Sequence, residues 1–380
     1  MKICFWGDIA GALNGRTHGG GQLQIALLAK ALSRSGHEVI VLDYEIDSEF
    51  VTPDGIKVVP IIGWNDGIRM IRTFTHKLPG LYTSLKKQKA DIYYCRIRNY
   101  RHIMSYMAAR RLNARFVLGL ASDLDILNFK SRWKYLYTKN SRQFWAIFDA
   151  IVTEPIYPFL LRKADCVIVQ HIGQKEILKR KNIESVIYAN LIDLSEIPMS
   201  TNPVKKDFVY VGRLDKRKGF LEFYDLVKSA PQYTFKVIGP PRHEAGQLYY
   251  EKFKMLPNVT MLGELNHSDT LKQIADSRAL ISTSPMEGFP NIFLEAWACG
   301  VPVLSLYVDP GRVIETEKLG VVAHGDRNIM LQAMKTIVDE VGFEKRAKSY
   351  IHRNHVFNED KINALNILFD DIVHTKDKNP

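Results

Sequence analysis

Cysteine is scarce in this 380-residue chain, and the four cysteines lie far apart. Each stands in an apolar run that is typical of a buried strand or helix: Cys4, Cys95, Cys166 and Cys299. A disulfide framework or a cysteine zinc site needs cysteines in clusters or at paired spacings. The sequence therefore predicts neither kind of site.

Long apolar runs are also lacking. The most hydrophobic long stretch, residues 144–161, includes Asp149, Glu154 and Pro155, and such residues are costly at the centre of a bilayer. Only residues 3–6 are apolar before Gly7, which is too short for the core of a secretory leader. We therefore expect no membrane span, no leader and a cytoplasmic location.

Two common nucleotide-binding patterns are missing as well. Gly19, Gly20 and Gly21 precede a helical pattern at residues 25–35, but Gln24 stands where G-x-G-x-x-G needs its last glycine. A P-loop run, G-x-x-x-x-G-K-[ST], does not occur. Neither a nicotinamide cofactor nor P-loop chemistry is predicted, although backbone can approach a ligand closely at these glycines.

The size and composition are those of a globular protein with more than one core. A chain of 380 residues favours two domains, and its 46% apolar and 24% charged residues are ordinary proportions. Lysine and arginine number 52 against 41 acidic residues, a net charge of +11. This charge favours polyanionic partners such as nucleotides, nucleic acid or anionic lipid, without choosing among them.

Short β-branched and aromatic runs alternate with helical patterns in two series. The runs are residues 3–6, 39–42, 58–61, 92–94, 116–120 and 167–169, then 208–211, 235–238, 259–262, 280–282 and 303–306. This pattern predicts an α/β fold of two doubly wound, Rossmann-like domains with parallel sheets, with ligands at the carboxyl ends of the strands. We predict domains at residues 1–195 and 207–355, a linker at 196–206, and a C-terminal helix at 356–380 that packs towards the N-terminal domain.

Two glutamates separated by seven residues carry most of the functional signal. The segment runs Glu287, Gly288, Phe289, Pro290, Asn291, then Ile-Phe-Leu and Glu295. Proline suits a first helical turn and Asn291 can cap it, which predicts Glu287 in a loop and Glu295 on a helix. Helix-start amides suit a phosphate, and a carboxylate accepts two hydrogen bonds from vicinal hydroxyls. The alternative is a helix-start glutamate favoured by the macrodipole, with a second one by chance.

Two cations follow the first strand of the second series. Arg213 follows residues 208–211 after Gly212, and Lys218 stands at the entrance of the next helix. Both can converge on one diphosphate, whose growing charge fixed cations must neutralise if no metal does so. The alternative is a solvated basic loop, which is how we interpret Lys216 and Arg217.

The glutamate segment resembles the signature of glycosyltransferase family 4. Members of that family have the GT-B fold, with parallel sheets facing an interdomain cleft, and retain the anomeric configuration of the sugar. The resemblance implies that Glu287 contacts the transferred sugar, that Glu295 contacts the ribose, and that the backbone of residues 288–291 contacts the sugar and diphosphate. It also matches Arg213 and Lys218 with a diphosphate-binding pair, and Gly19 and Gly20 with a glycine pair before the first helix, so that Gly19, Gly20 and Gly21 are candidate donor-binding residues.

The function implied is that of a bacterial-type polysaccharide or glycolipid glycosyltransferase. It would be metal-independent and retaining, with a nucleoside-diphosphate sugar as co-substrate, no cofactor, and a glycan or lipid-linked acceptor. The alternatives are a sugar-nucleotide epimerase of the same fold and a noncatalytic, membrane-peripheral sugar-nucleotide binding protein. Nucleic-acid binding is prompted only by charge, because no nucleic-acid module is visible.

An aspartate follows the predicted strand at residues 116–120. Relatives in the family often carry His-Asp there, but Ser122 precedes Asp123 in this chain, so no histidine role carries over. Asp123 is a candidate for contacting the acceptor hydroxyl, or else a helix cap. With Asp125 it spells the Asp-x-Asp triplet of metal-dependent transferases of another fold, and we expect no metal here. His171 is interpreted as a loop or cap residue.

Aromatic and basic residues interleave between residues 129 and 163. They include Phe129, Lys130, Arg132, Trp133, Lys134, Tyr157, Phe159, Arg162 and Lys163, and basic residues such as Arg98 could extend the same surface. Aromatic rings favour the lipid headgroup region and cations favour anionic lipid, at about 1 kcal/mol per residue. This pattern predicts an acceptor that is lipid-linked or held at an anionic membrane surface. The alternative is that the rings belong to the core of the first domain.

Overall fold

The computed structural model describes residues 1–15, 19–68, 71–127, 144–200, 205–337 and 342–374. The chain divides into two compact units, one of Met1–Leu191 with Phe357–Pro380 and one of Ile192–Val356. Each unit contains its own largely parallel sheet, which confirms the predicted α/β fold. The predicted linker includes residues 201–204, which lie outside the described residues, and its bounds stay a prediction.

The sheet of the first unit has eight strands. They are β1 Lys2–Trp6, β2 Glu38–Asp43, β3 Phe50–Val51, β4 Lys57–Pro60, β5 Ile92–Arg96, β6 Arg115–Gly119, β7 Cys166–Val169 and β8 Val186–Ile187. Their order is β3-β4-β2-β1-β5-β6-β7-β8. The short β3 runs antiparallel to β4, and the neighbours along the rest of the sheet pair in parallel. All six runs of the first predicted series are confirmed as strands.

The helices of the first unit follow its strands. They are α1 Ala10–Leu13, α2 Gly20–Arg34, α3 Leu78–Gln88 after a π-helical turn at Thr73–Lys77, α4 His102–Arg111, α5 Phe144–Lys163 and α6 Ile172–Lys179. Helix α5 contains Pro155 and Pro158. Among the described residues, no helix combines the length and the apolarity needed to cross a bilayer.

The second unit has a six-stranded parallel sheet. Its strands are β9 Phe208–Val211, β10 Phe235–Ile238, β11 Val259–Gly263, β12 Ala279–Ser282, β13 Val303–Ser305 and β14 Gly320–Val322. Their order is β11-β10-β9-β12-β13-β14, so the direction of winding reverses between β9 and β12. Ligands of doubly wound sheets bind at the carboxyl ends of the strands at such a reversal. The predicted cations follow β9 and the glutamate segment follows β12.

Helices cover both faces of this second sheet. They are α7 Phe220–Lys228, α8 His243–Lys254, α9 His267–Ala275, α10 Asn291–Ala298, α11 Val313–Thr316, α12 Arg327–Thr336 and α13 Phe343–Asn354. Alternate residues of a strand point to opposite faces. Val209 accordingly lies in the core layer with Trp297, whereas Phe208 and Tyr210 lie in the layer with Phe223.

The last helix returns to the first unit. Helix α14, Glu359–His374, buries Leu365, Phe369 and Ile372 in the core layer that also contains Ile3 and Phe5 of β1. Burying such side chains contributes about 1.5–3 kcal/mol each. The C-terminal segment is therefore part of the core of the first unit.

Candidate active site

An ion pair joins two of the predicted site residues in the second unit. Nζ of Lys218 lies 2.5 Å from Oε1 of Glu287, and the two side chains are 37% and 21% exposed. Lys218 ends a 3₁₀ turn after β9, and Glu287 lies in the loop after β12. The structure thus brings a cation and a carboxylate together at the point where the winding of the sheet reverses.

The backbone of Lys218 is fixed by contacts with β9 and with the residue after β12. The carbonyl of Lys218 accepts hydrogen bonds from the hydroxyls of Tyr210, at 3.1 Å, and Thr283, at 3.3 Å. Gly219 has a φ of +66°, and a Cβ at this position would lie 1.9 Å from the carbonyl oxygen of Thr283. Glycine is required because it adopts this φ without strain and leaves room for that carbonyl. This packing positions the side chain of Lys218 next to Glu287.

Arg213 lies at this edge without an anionic partner among the described residues. It is half-buried, and its guanidinium makes no hydrogen bond or salt bridge with a described residue. Burial lowers the pKa of Arg213, the positive charges of Arg242 and Arg217 lower it further, and Asp215 acts in the opposite direction. Positive charge is therefore concentrated here without full compensation, which is the environment that an anion needs.

Arg217 and Arg242 were not part of the predicted site. Arg217 is exposed, as expected, but its guanidinium pairs with Asp215 at 2.8 Å, and Asp215 also caps the turn at Lys216–Lys218 by accepting from the amide of Arg217. Arg242 follows β10 and precedes α8. Its position after a strand is the same kind of sequence signal that indicated Arg213.

The glutamate segment forms a loop and a helix start, as predicted. Helix α10 begins at Asn291, and Glu295 lies on it. The prediction that Asn291 caps the helix was wrong, because the N-cap is Pro290, which has no side-chain oxygen to accept a hydrogen bond, and no side-chain cap forms. The first-turn amides of α10 therefore have no side-chain cap, and amides of this kind favour anions.

Residues 288–290 are buried, and none of them has a polar side chain. Phe289 is 5% exposed. Its ring packs edge-on against Trp297 at 6.2 Å and lies 4.9 Å from the His355 ring. Its side chain therefore belongs to the core and anchors the loop that contains Glu287.

Glu295 lies at one end of a chain of three ionisable residues that the sequence did not reveal. Its Oε1 lies 3.1 Å from Nε2 of His267, and Nδ1 of His267 lies 2.9 Å from Oε2 of Glu196. The hydrogen bond with Glu295 is the main cause that raises the pKa of His267 to about 8. The three residues come from α10, α9 and the 3₁₀ turn Leu194–Glu196, so no local spacing could have indicated them.

Asp123 lies in the first unit with its carboxylate held by two side chains of the next β–α segment. Its Oδ1 accepts from Nε2 of Gln174 at 2.8 Å and lies 3.2 Å from Nε2 of His171. His171 is 8% exposed and stands at the N-cap of α6, as its interpretation as a cap residue suggested, yet its side chain does not cap the helix. The ring faces Asp123 instead, and Asp123 keeps 34% of its side chain exposed.

Asp125 has a different role from Asp123. Ser122 caps the 3₁₀ turn Asp123–Asp125, and the carboxylate of Asp125 accepts from the amides of Ala121 and Ser122 at 2.8 and 3.1 Å. Asp123 is therefore not the cap of this turn. Asp125 is committed to holding the backbone and is 6% exposed, and the described residues contain no group of three or more potential metal ligands.

The glycine segment begins the first long helix of the first unit. Gly19 is the N-cap of α2, and Gly20 and Gly21 form its first turn, whereas residues 16–18 lie outside the described residues. Gln24, which replaces the last glycine of the dinucleotide pattern, donates to the carbonyl of Leu191 at 2.7 Å and accepts from its amide at 2.8 Å. The residue that breaks the pattern therefore has a structural role.

The aromatic and basic stretch predicted at a membrane surface is described only in part. Residues 129–143 lie outside the described residues. Tyr157 is fully buried, and the guanidinium of Arg98 lies 4.7 Å from its ring centre. Arg98 pairs with Glu154 and has a side chain that is 4% exposed. The placement of Tyr157 and Arg98 on a surface was therefore wrong, whereas Phe159 is 41% exposed.

The second unit is similar in sequence to known proteins. Residues 198–337 match the family model of the glycosyl transferases, group 1. An uncharacterized 41.2 kDa protein in the cps region of Klebsiella pneumoniae is 25% identical over 213 residues, 50% of this chain and 57% of that protein. A phosphatidylinositol N-acetylglucosaminyltransferase subunit of Arabidopsis thaliana is 22% identical over 338 residues, 84% of this chain and 71% of that protein. The chain thus spans little more than half of the first of these relatives.

Solved structures resemble the whole chain. Sucrose-phosphate synthase of Thermosynechococcus elongatus has a TM-score of 0.77 at 15% identity, with 98% of each chain covered. The Anabaena protein HepE, in complex with UDP and glucose, has a TM-score of 0.67 at 15% identity, also with 98% of each chain covered. At these identities the likeness shows the fold, which is that of the GT-B glycosyltransferases. Residues 198–337 are therefore similar to the group 1 glycosyl transferases, and the chain has the GT-B fold.

Proposed function

We propose that this chain is a metal-independent, retaining glycosyltransferase of family 4. It moves a sugar from a nucleoside diphosphate to a glycan or lipid-linked acceptor in the synthesis of a cell-surface polysaccharide or glycolipid. The observation that carries the proposal is the pair of Lys218 and Glu287, 2.5 Å apart, with the unpaired Arg213 following the same strand as Lys218. A cation for the diphosphate and a carboxylate for the sugar are thereby held side by side.

The chemistry of this site is stabilisation of the leaving group. When the bond between the anomeric carbon and the phosphate oxygen breaks, negative charge grows on the diphosphate. We propose that Arg213, Lys218 and the first-turn amides of α10 donate to the diphosphate and neutralise this charge, and a donor that acts in this way contributes about 3–4 kcal/mol to catalysis. Fixed cations supply what a divalent metal supplies in other transferases, which supports a reaction that needs no metal.

Retention follows from attack on the face that the diphosphate leaves. The acceptor oxygen forms a bond to the anomeric carbon on that face, and the acceptor proton passes to the departing phosphate oxygen. In this proposal Glu287 accepts hydrogen bonds from the hydroxyls of the transferred sugar, and Glu295 accepts them from the hydroxyls of the ribose. Asp123, oriented by Gln174 and His171, is proposed to hold the acceptor hydroxyl.

UDP-sugars are the first donors to test. HepE, which shares the fold, was solved with UDP and glucose. The names of the two relatives, a protein of a cps region and a phosphatidylinositol N-acetylglucosaminyltransferase subunit, support a polysaccharide repeat or a lipid-linked headgroup as the acceptor. Each of these assignments is a proposal for this chain.

A membrane-peripheral location is proposed for the first unit. Ile68, Ile71 and Phe74 are 69%, 50% and 54% exposed, and the basic residues Arg72 and Lys77 lie in the same segment. Exposed apolar side chains among cations are suited to an anionic lipid surface. Replacing Ile71 and Phe74 by Asp should reduce sedimentation with anionic vesicles. The control is the replacement of Leu248 and Met255 by Asp in the second unit, where these side chains are 56% and 83% exposed, and it should not reduce sedimentation. Equal loss in both variants, or no sedimentation of the parent protein, contradicts this location.

The experiment that tests the proposed function is a transfer assay with analysis of the anomer. Melting temperatures with UDP, GDP and ADP and their sugar conjugates identify the donor, because a ligand stabilises the folded state by RT ln(1 + [L]/Kd). Transfer to lipid-linked and soluble glycan acceptors is then followed by NMR of the product. Retention of the donor configuration is expected. An inverted anomer, or formation of the epimer of the donor without any acceptor, contradicts the proposal.

A further inference from the structure

A histidine lies between two carboxylates next to the proposed ribose site. His267 begins helix α9, with Nε2 3.1 Å from Oε1 of Glu295 and Nδ1 2.9 Å from Oε2 of Glu196. The side chain of Glu295 is 11% exposed, that of His267 26% and that of Glu196 58%. The contacts therefore run from a largely buried carboxylate to an exposed one through a single imidazole ring.

The protonated form of the ring is the form that this arrangement favours. A neutral imidazole has one N–H and can donate to one carboxylate only, whereas the imidazolium donates to both. The hydrogen bond with Glu295 is the main cause that raises the pKa of His267 to about 8, and the charges of Glu295 and Glu196 act in the same direction against burial. Asp269 is a second carboxylate on the helix that begins at His267, and it accepts hydrogen bonds from Asn266 and Lys272.

The contact also determines how Glu295 is presented. Its Oε1 is engaged by His267, and no described residue hydrogen-bonds its Oε2. A side chain held on one oxygen has lost rotamer freedom before a ligand arrives, so a ligand that binds the other oxygen pays less ordering entropy. Second partners of this kind orient functional groups in many sites.

We propose that His267 is a positioning residue of the donor site, whose imidazolium, braced by Glu196, orients the carboxylate of Glu295 towards the ribose hydroxyls of the nucleotide. This inference rests on the proposed function, because it takes Glu295 as the ribose ligand. It adds that binding of the nucleoside diphosphate weakens when His267 loses its proton. It also adds that recognition of the ribose 2′-hydroxyl depends on His267.

The test is a calorimetric titration with a nucleoside diphosphate and its 2′-deoxy counterpart. The probe is whichever of UDP, GDP and ADP stabilises the protein most. Titrations at about pH 6.5 and about pH 9 bracket the pKa of His267, which is about 8. The variants are His267→Gln, which keeps one donor and cannot titrate, and Glu196→Gln. The control is His324→Gln, because His324 also contacts a glutamate, with Nε2 2.7 Å from Oε1 of Glu315.

The parent protein should bind the ribonucleotide about tenfold more weakly at the higher pH, the size expected when a charge-assisted hydrogen bond is lost. His267→Gln should bind weakly at both pH values and should discriminate little between the ribo and deoxy forms. Any pH dependence of binding that remains in His267→Gln reports titration of the nucleotide itself. Glu196→Gln should lower the pH at which affinity is lost, and His324→Gln should behave as the parent.

Two results overturn the inference. If His267→Gln has the same pH profile and the same 2′-hydroxyl discrimination as the parent, while the parent binds the nucleotide well, His267 does not position Glu295 and the proposed function stands. If none of the three nucleoside diphosphates binds the parent at either pH, the proposed function fails and the inference fails with it.

Discussion

The ammonium group of Lys218 and the carboxylate of Glu287 lie 2.5 Å apart. The residues come from the turn after β9 and the loop after β12, which are neighbouring strands of one sheet. Both side chains keep part of their surface exposed, so a ligand can reach them. We expect a bound diphosphate to take over Lys218, which leaves Glu287 free to accept hydrogen bonds from the sugar.

This exchange of partners predicts different effects for the two glutamates. Glu287→Gln should lower turnover while nucleoside-diphosphate affinity stays equal or rises, because the carboxylate that competes for Lys218 is gone. Glu295→Gln should weaken nucleotide binding by about 1–3 kcal/mol, since a charged acceptor of ribose hydroxyls becomes neutral. Calorimetry with the product nucleotide and steady-state kinetics separate the effects. Much weaker nucleotide binding by Glu287→Gln would show that the roles are assigned wrongly.

Gly219→Ala should damage both stability and turnover. The alanine backbone would have to adopt a φ of +66°, and the new Cβ would lie 1.9 Å from the carbonyl oxygen of Thr283. The backbone next to Lys218 must therefore move. We expect a loss of more than about 1–3 kcal/mol in the free energy of unfolding, measured by denaturant titration. The control is Gly36→Ala, where φ is +83° but nothing lies within 4 Å of the new Cβ. An equal loss of unfolding free energy in the two variants would mean that the close approach at Gly219 does not destabilise Gly219→Ala.

The pH dependence of unfolding should report the partners of His267. The pKa is raised to about 8 in the folded protein from about 6.5 when unfolded, so folding favours the protonated ring. This stabilisation, about 2 kcal/mol at most, is fully present below pH ~6.5 and is lost as the pH rises through ~8. The difference in unfolding free energy between the parent and His267→Gln should therefore shrink between those values. A difference that stays constant with pH would contradict the assignment.

Transfer should continue in excess chelator. Arg213, Lys218 and the helix-start amides of α10 are part of the protein, and EDTA cannot remove them. Turnover with and without EDTA should agree, and adding manganese or magnesium should not increase it. Loss of transfer in EDTA that either ion restores would contradict the metal-independent proposal.

The strand pattern was the most predictable part of the fold. All eleven apolar runs of the two predicted series are confirmed as strands, because a buried parallel strand requires a short continuous apolar run. The short strands β3, β8 and β14 were missed. Strands β3 and β8 are two residues each, too short to carry a pattern, and β14 contains Gly320, a residue that weakens strand predictions.

The site was predictable where function is encoded in adjacent residues and not where it arises from packing. The loop position of Glu287 and the helix position of Glu295 follow from local sequence. The ring of His267 meets Glu295 and Glu196 only because α9, α10 and a turn 71 residues away in sequence pack together. His171 and Asp123 are likewise 48 residues apart. Contacts of this kind depend on tertiary structure, which no spacing rule contains.

The most direct test of the proposed diphosphate site is the turnover number of Arg213→Ala and Lys218→Ala, measured with saturating donor beside the control Lys216→Ala. Lys216 is an exposed cation of the same turn and has no proposed contact with the diphosphate. If Arg213 and Lys218 stabilise the leaving diphosphate, each variant should lose about 10²–10³ in turnover with an unchanged melting temperature, and Lys216→Ala should keep normal turnover. Near-normal turnover in both variants, or an equal loss in Lys216→Ala, would contradict the proposed diphosphate site.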